Sequence, residues 1–415
     1  MEYQVSEKVR GAVDALTGCE KVQKALRFME EDNEYIIQRQ IELTLIPAPT
    51  FHEEKKAARV LELFKEYGLE DCHIDDYGNA VGIMRGTGGG KNTIVEGHMD
   101  TVFDIDTKLE IKRENGWIYC PGIVDDNRGV AAVLSVIRAL KAADIKPKGD
   151  IHFVGTVQEE GMGALNGMKY YVDHHPELEA SVSIDGSGYE EVTYEATGIQ
   201  TYEFNFHGIG GHAYGSFGDI ANPAHAAGRA IAKISELQVP EFPKTTFAVS
   251  GLYAGSYSSI HAIVDKATFT LNFRSNSQEE LMKLKDKIFA AVQEACDEET
   301  SRWGKNEITW DCRHFMDVNA GTQDPHAPIV EASMAASEFL GCKEPKLGFG
   351  GSTNCSRALE GGLPAVCLGG GAPWDSKCHS LAEQFCEFEA YKGCQIAMLV
   401  ALLCTGTEAA ETIIG

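Results

Sequence analysis

From Tyr35 to Leu45 and from Glu53 to Tyr67, apolar residues recur three and four positions apart, the spacing that gathers them on one face of a helix. Three shorter apolar runs, Ala80–Met84, Thr93–Glu96 and Ile151–Val157, are bounded by glycine or charged turn residues and read as buried strands. Between the last two, Val130–Ala143 is built from Ala, Val, Leu and Ile and reads as a helix introduced by Asp125-Asp126-Asn127-Arg128-Gly129. Strands alternating with helices predict a layered α/β domain around a largely parallel sheet.

The texture changes near Tyr194. Thr201–Phe206 and Ala267–Phe273 alternate apolar and polar side chains, as half-exposed strands do, while Pro223–Leu237 and Glu279–Glu294 have helical spacing. Two strand–helix units predict a small, mostly antiparallel α+β domain inserted into the larger one. After about Phe315 the first texture returns, with a helix over Ile329–Leu340 and a strand over Pro364–Leu368. The expected division is 1–193 and 315–415 for the large domain and 194–314 for the insert.

Acidic residues outnumber basic ones, 62 to 37, for a formal charge of -25. No basic stripe is available to neutralise phosphates, so a nucleic-acid partner is not expected. Twelve cysteines are spread without a paired CxxC motif, and several sit in apolar runs such as Ala365-Val366-Cys367-Leu368, the pattern of buried thiols in a reducing compartment. Met1–Glu7 lacks the basic start and apolar core of a signal peptide, and Ile396–Cys404 is too short to cross a bilayer. A cytoplasmic enzyme with no membrane partner is the resulting expectation.

The chemistry concentrates where apolar strands end. Ile94-Val95-Glu96-Gly97-His98-Met99-Asp100 puts His98 and Asp100 on one side at a strand's carboxyl end, where α/β sheets bind ligands. A metal-bound histidine gives its other ring N–H to an oxygen, a role open to Asp100. Asp125 stands in a glycine-bounded loop at a helix start and could bridge two cations, although Asp and Asn there also serve as ordinary N-caps. Glu159-Glu160 closes a third strand, Asp185 a fourth, and His379 lies far downstream in Cys378-His379-Ser380-Leu381-Ala382-Glu383. His98, Asp125, Glu160, Asp185 and His379 make a nitrogen–oxygen ligand set suited to zinc, with cobalt or manganese as substitutes.

This ordered set resembles the metallohydrolases that include peptidase T, carboxypeptidase G, aminoacylase and succinyl-diaminopimelate desuccinylase, nearest the peptidase T side. The resemblance implies a zinc-exopeptidase-like three-layer sheet domain with an inserted ferredoxin-like lid and dimerisation domain. It implies two zinc ions, with His98 and Asp185 on one, Glu160 and His379 on the other, and Asp125 between them. It further implies Glu159 as general base, Asp100 orienting His98, and a cis Asp125–Asp126 peptide. His212, in Gly210-Gly211-His212-Ala213, matches a histidine that polarises the scissile carbonyl from the partner subunit of a homodimer. Arg274, in Leu271-Asn272-Phe273-Arg274, matches an arginine that binds a substrate carboxylate. Two positions depart from the family: His261 stands where Asn is usual, and Asn354 replaces an acid. Both lie near substrate in relatives, so both are candidate substrate contacts. The glycines of Gly369-Gly370-Gly371 would let backbone approach a ligand or form a flexible turn.

The expected activity is hydrolysis of amide bonds in small substrates by a two-metal-activated water, foremost as an aminopeptidase, tripeptidase or dipeptidase. Asp185 rather than Glu accompanies aminopeptidases and dipeptidases among relatives. An N-acyl amino acid deacylase or another small-molecule amidohydrolase or aminohydrolase is the alternative. Outside enzymology, the alternative is an inactive family member acting as a binding protein.

Overall fold

The computed structural model describes residues 3–186, 188–303, 307–348 and 351–415. The chain divides into two compact units, Met1–Ala196 with Thr322–Gly415, and Thr197–Gly321. The boundary expected at 314/315 falls inside a strand, Thr309–Val318, which pairs with Gly198–His207 and carries the second unit on to Gly321.

The first unit is a three-layer α/β structure. Its eight-stranded sheet runs in the order Glu70–Ile74, Ala80–Met84, Ile151–Thr156, Thr93–His98, Ala180–Ile184, Ala365–Leu368, Glu191–Thr193, Lys346–Gly348. The four strands at its centre, from Ile151–Thr156 to Ala365–Leu368, are parallel, whereas the Glu70–Ile74 edge is antiparallel, so the sheet is more mixed than the strand–helix alternation implies. Side chains alternate between faces as the strand period requires. Ala80, Met84, Val95, Ile151 and Phe153 pack with the helices Asn127–Ala142 and Tyr391–Thr405, while Val81, Ile83, Ile94 and Val154 pack with Asn166–His174 and Asn354–Glu360.

Register then places the chemistry. His98 lies opposite Thr156, and Glu96 opposite Ser183, so the three central strands end level. The segments leaving them carry His98–Asp100, Gln158–Glu160 and Asp185 from the carboxyl edge of the sheet. The apolar run Ile396–Cys404 belongs to the helix Tyr391–Thr405, which is buried from Gly393 onward. Among the described residues, no helix is long and apolar enough to cross a membrane.

The second unit follows β-α-β-β-α-β order. Its antiparallel sheet is arranged Thr245–Ala254, Lys266–Ser275, Gly198–His207, Thr309–Val318, with the helices Pro223–Ser235 and Gln278–Trp303 covering one face, a ferredoxin-like arrangement. Phe204, Phe206, Phe269 and Phe273 form its aromatic core. The second helix runs well past the expected Glu294, its buried face continuing through Ala295 and Cys296 to Glu299. Glu299 is fully buried and accepts hydrogen bonds from Trp303 Nε1 (2.7 Å) and Arg229 Nε (3.2 Å).

Candidate functional site

Asp125 faces two imidazoles at once. Its Oδ1 lies 3.1 Å from His98 Nε2, and its Oδ2 lies 2.9 Å from His379 Nε2. His379 Nε2 is also 2.9 Å from Glu160 Oε1. On the opposite flank, donor atoms of His98, Glu159 and Asp185 fall within 4.8 Å of one another, as do those of His98, Asp125 and Glu160. Glu159 Oε2 approaches His98 Nε2 at 4.0 Å. The fold thus brings together all five residues expected as metal ligands, with Glu159 beside them.

Each is held by neighbours that sequence reasoning only partly foresaw. Glu383 is fully buried, and its carboxylate accepts from the backbone N–H groups of Gly122 (2.9 Å), Val124 (2.7 Å) and Asp125 (3.0 Å), fixing the loop that presents Asp125. Asp126 caps the following helix through Gly129 N (2.8 Å) with one oxygen and accepts from His98 N (2.9 Å) with the other. The N-cap reading of this loop is therefore correct for Asp126, leaving Asp125 free to face the histidines. The peptide between them is cis.

Asp100 contacts more than His98. His98 Nδ1 is closer to the main-chain oxygen of Asp100 (3.1 Å) than to its carboxylate (3.4 Å). The carboxylate accepts from Glu159 N and Glu160 N, each at 3.0 Å, and from Thr50 Oγ1 at 2.9 Å. Glu53 takes the preceding amide, Gln158 N, at 2.9 Å. Three consecutive amides are thereby pinned by two buried acids.

The electrostatics call for positive charge. Burial, together with the Asp125 charge, pushes the Asp185 pKa up to about 7, and burial with Asp185, Glu160 and Asp100 nearby raises Glu159 well above the carboxylate range. Hydrogen bonds to Asp125 and Glu160 raise His379 to about 10. Burial opposes a charge on His98, but the surrounding Glu159, Asp100 and Asp125 outweigh it and raise its pKa too. Burial also works against the Asp125 anion, yet the two imidazoles hold its carboxyl well below the usual range. The 3.1 Å contact between Asp125 Oδ1 and His98 Nε2 lacks hydrogen-bond geometry, which leaves that buried oxygen open. Clustered nitrogen and oxygen donors, excess buried negative charge and that unused oxygen fit divalent cations on both sides of Asp125.

The remaining expected residues are placed differently. Asn354 is only 3% exposed, and its amide N–H2 is committed to Glu96 Oε2 and Thr156 Oγ1, both at 2.8 Å. The expected substrate contact is corrected to a buried structural link, because helix Asn354–Glu360 packs its first turn into the core. Gly369 and Gly393 allow backbone to approach backbone: a Cβ at Gly369 would lie 2.3 Å from Gly188 O, and one at Gly393 2.4 Å from Gly370 C. His212, His261 and Arg274 belong to the second unit. His212 pairs with Ala262 on a two-stranded ribbon, and His261 O accepts from Ala213 N. Arg274 is exposed on Lys266–Ser275, its Nε donating to Asn272 Oδ1 at 3.0 Å.

Known proteins share this architecture. Residues 94–403 match the model of peptidase family M20/M25/M40. The chain is 25% identical over 348 residues to a succinyl-diaminopimelate desuccinylase of Corynebacterium glutamicum, covering 82% of this chain and 88% of that one. The structure is similar to aminopeptidase PepT from Bacillus cereus (TM-score 0.73, 21% identity, 89% of this chain and 98% of that one). It is equally similar to a tripeptidase from Staphylococcus aureus (TM-score 0.73, 22% identity, again 89% and 98%). With the family match spanning most of the chain and its motifs, this protein is a metallohydrolase of the M20/M25/M40 peptidase family.

Proposed function

We propose that the protein is a two-zinc exopeptidase of short peptides, an aminopeptidase, tripeptidase or dipeptidase. The observation that carries this reading is the Asp125 carboxylate set between His98 and His379 with Glu159 alongside. His98, Asp185 and Asp125 would hold one ion, and Asp125, Glu160 and His379 the other; cobalt or manganese would suit the same donors. Bound there, the ions supply Lewis acidity and make water acidic enough to ionise near neutral pH.

Glu159 takes the proton of the attacking water and returns it to the leaving amine, a task that fits a carboxylate whose burial raises its basicity. His212 Nδ1 accepts from Tyr214 N (3.2 Å) and Gly215 N (3.1 Å). A neutral imidazole so engaged carries its proton on Nε2, the donor form needed to stabilise a carbonyl oxygen as charge develops. The Arg274 guanidinium is the anchor we assign to the substrate carboxylate, with His261 as a further substrate contact. The second unit also supports a homodimer reading, since Leu252 and Tyr253 on its outer strand are 60% and 65% exposed. Cytoplasmic placement agrees with twelve cysteines that are all free.

The similarity to a desuccinylase favours a second reading, deacylation of N-acyl amino acids on the same centre.

Metal-loaded protein is expected to release amino acids from a tripeptide panel, and chelator to abolish the release. Glu159→Ala should lower kcat by about 10²–10⁴-fold at unchanged metal content. A panel left intact beside turnover of N-acyl amino acids would replace the peptidase reading with the deacylase. Loss of one acceptor in Glu383→Gln should loosen the Asp125 loop and weaken metal binding by about 10–100-fold while the circular dichroism spectrum stays native. Wild-type affinity in that variant would remove Glu383 from the account. Light scattering should return a dimer mass; a monomer mass would discard the homodimer.

A further inference from the structure

A second cluster of metal-binding side chains lies outside the centre built on Asp125. His152, His175 and Glu177 each present a donor atom within 4.8 Å of the other two. His152 comes from the strand Ile151–Thr156 and lies opposite Ile94, whereas His98 lies opposite Thr156 on the same strand pair. Four residues of strand, about 13 Å, therefore separate the cluster from the Asp125 centre. His175 and Glu177 come from the segment that follows the helix Asn166–His174.

The chemistry of the three groups is that of a ligand set. His152 is 2% exposed, and its Nδ1 lies 2.9 Å from Tyr171 Oη. A ring N–H given to an oxygen fixes the tautomer of a metal-ligating histidine and frees the other nitrogen to coordinate. The His175 ring stacks on Tyr171 at 4.1 Å between centroids and stands 5.5 Å from the His152 ring, which limits its freedom to swing away. Its Nδ1 is 2.7 Å from Glu177 Oε1, a contact in which a cation could replace the shared proton. Two imidazoles and one carboxylate, buried on one side and open to solvent on the other, match a site with three protein ligands and one water.

We propose that His152, His175 and Glu177 form a third divalent-metal site of the zinc class, tying the loop after helix Asn166–His174 to the central sheet. No step of the hydrolysis passes through it.

The test is metal stoichiometry. Full-length protein is stripped of metal, reloaded with Zn²⁺, desalted and assayed for zinc by mass spectrometry, alongside His175→Ala and Glu177→Gln. Both variants alter a solvent-facing loop and should fold as wild type by circular dichroism. The expected result is one equivalent less zinc in each variant than in wild type, with the tripeptide-hydrolysis rate unchanged. The difference between proteins is the readout, so it stands whether or not the Asp125 centre proves to be a peptidase. Tyr171→Phe, which keeps the stacking ring and removes the oxygen from His152, should weaken Zn²⁺ retention about 10-fold in chelator competition. Equal zinc content in wild type, His175→Ala and Glu177→Gln would overturn the proposal and leave a hydrogen-bonded histidine pair.

Discussion

The candidate site depends on one carboxylate, Asp125, whose two oxygens each face a different imidazole. That arrangement joins residues far apart in the chain. His98 ends a central strand, and His379 comes from a distant loop where its own φ is +62°. Asp125 meets both because its loop is fixed at several points: Glu383 captures three of its amides, and Asp126 ties the helix start to the His98 backbone. Glu383 follows His379 by four residues, so a single segment supplies one imidazole and the clamp on the acid it faces.

The surroundings are organised by charge. Asp100, Asp126, Glu159, Glu160 and Glu96 are all buried near one strand edge. The chain's own compensation on that side is small. Lys56 is fully buried with its Nζ on Asn127 Oδ1 at 2.9 Å, and burial pushes its pKa down to about 8 despite Asp100, Asp126 and Glu53 nearby. Burying so many acids is costly unless they are neutralised or paired. Backbone amides meet part of that requirement at Asp100, Asp126 and Glu383. The carboxylates aimed at His98 and His379 are the remainder, and divalent cations are the counter-charge that suits them.

The sequence made the sheet centre and the site legible for the same reason. Strands such as Ala80–Met84 are continuous apolar runs, and the polar residues that break those runs at the carboxyl end are the chemistry itself. The helices Glu7–Thr17 and Glu20–Glu31 escaped reading despite their amphipathic faces, since each is short and set among charges. Tyr391–Thr405 is buried on all sides and has no polar face to reveal a helical period. Lys56 gave no signal, because a lysine in an amphipathic helix ordinarily faces water. Asn354 misled because matching a family position says where a residue lies in the chain but not which way its side chain is used. Glu383 was present in the motif around His379, yet a carboxylate that binds only backbone amides leaves no compositional trace.

The central claim is that Asp125 bridges two cations. Anomalous diffraction from crystals of zinc-loaded protein, collected at the zinc edge, tests it most directly. The account predicts two peaks about 3.5–4 Å apart, one on each side of the Asp125 carboxylate, with His98 and His379 on different ions. A single peak there, or zinc bound without Asp125, would contradict it.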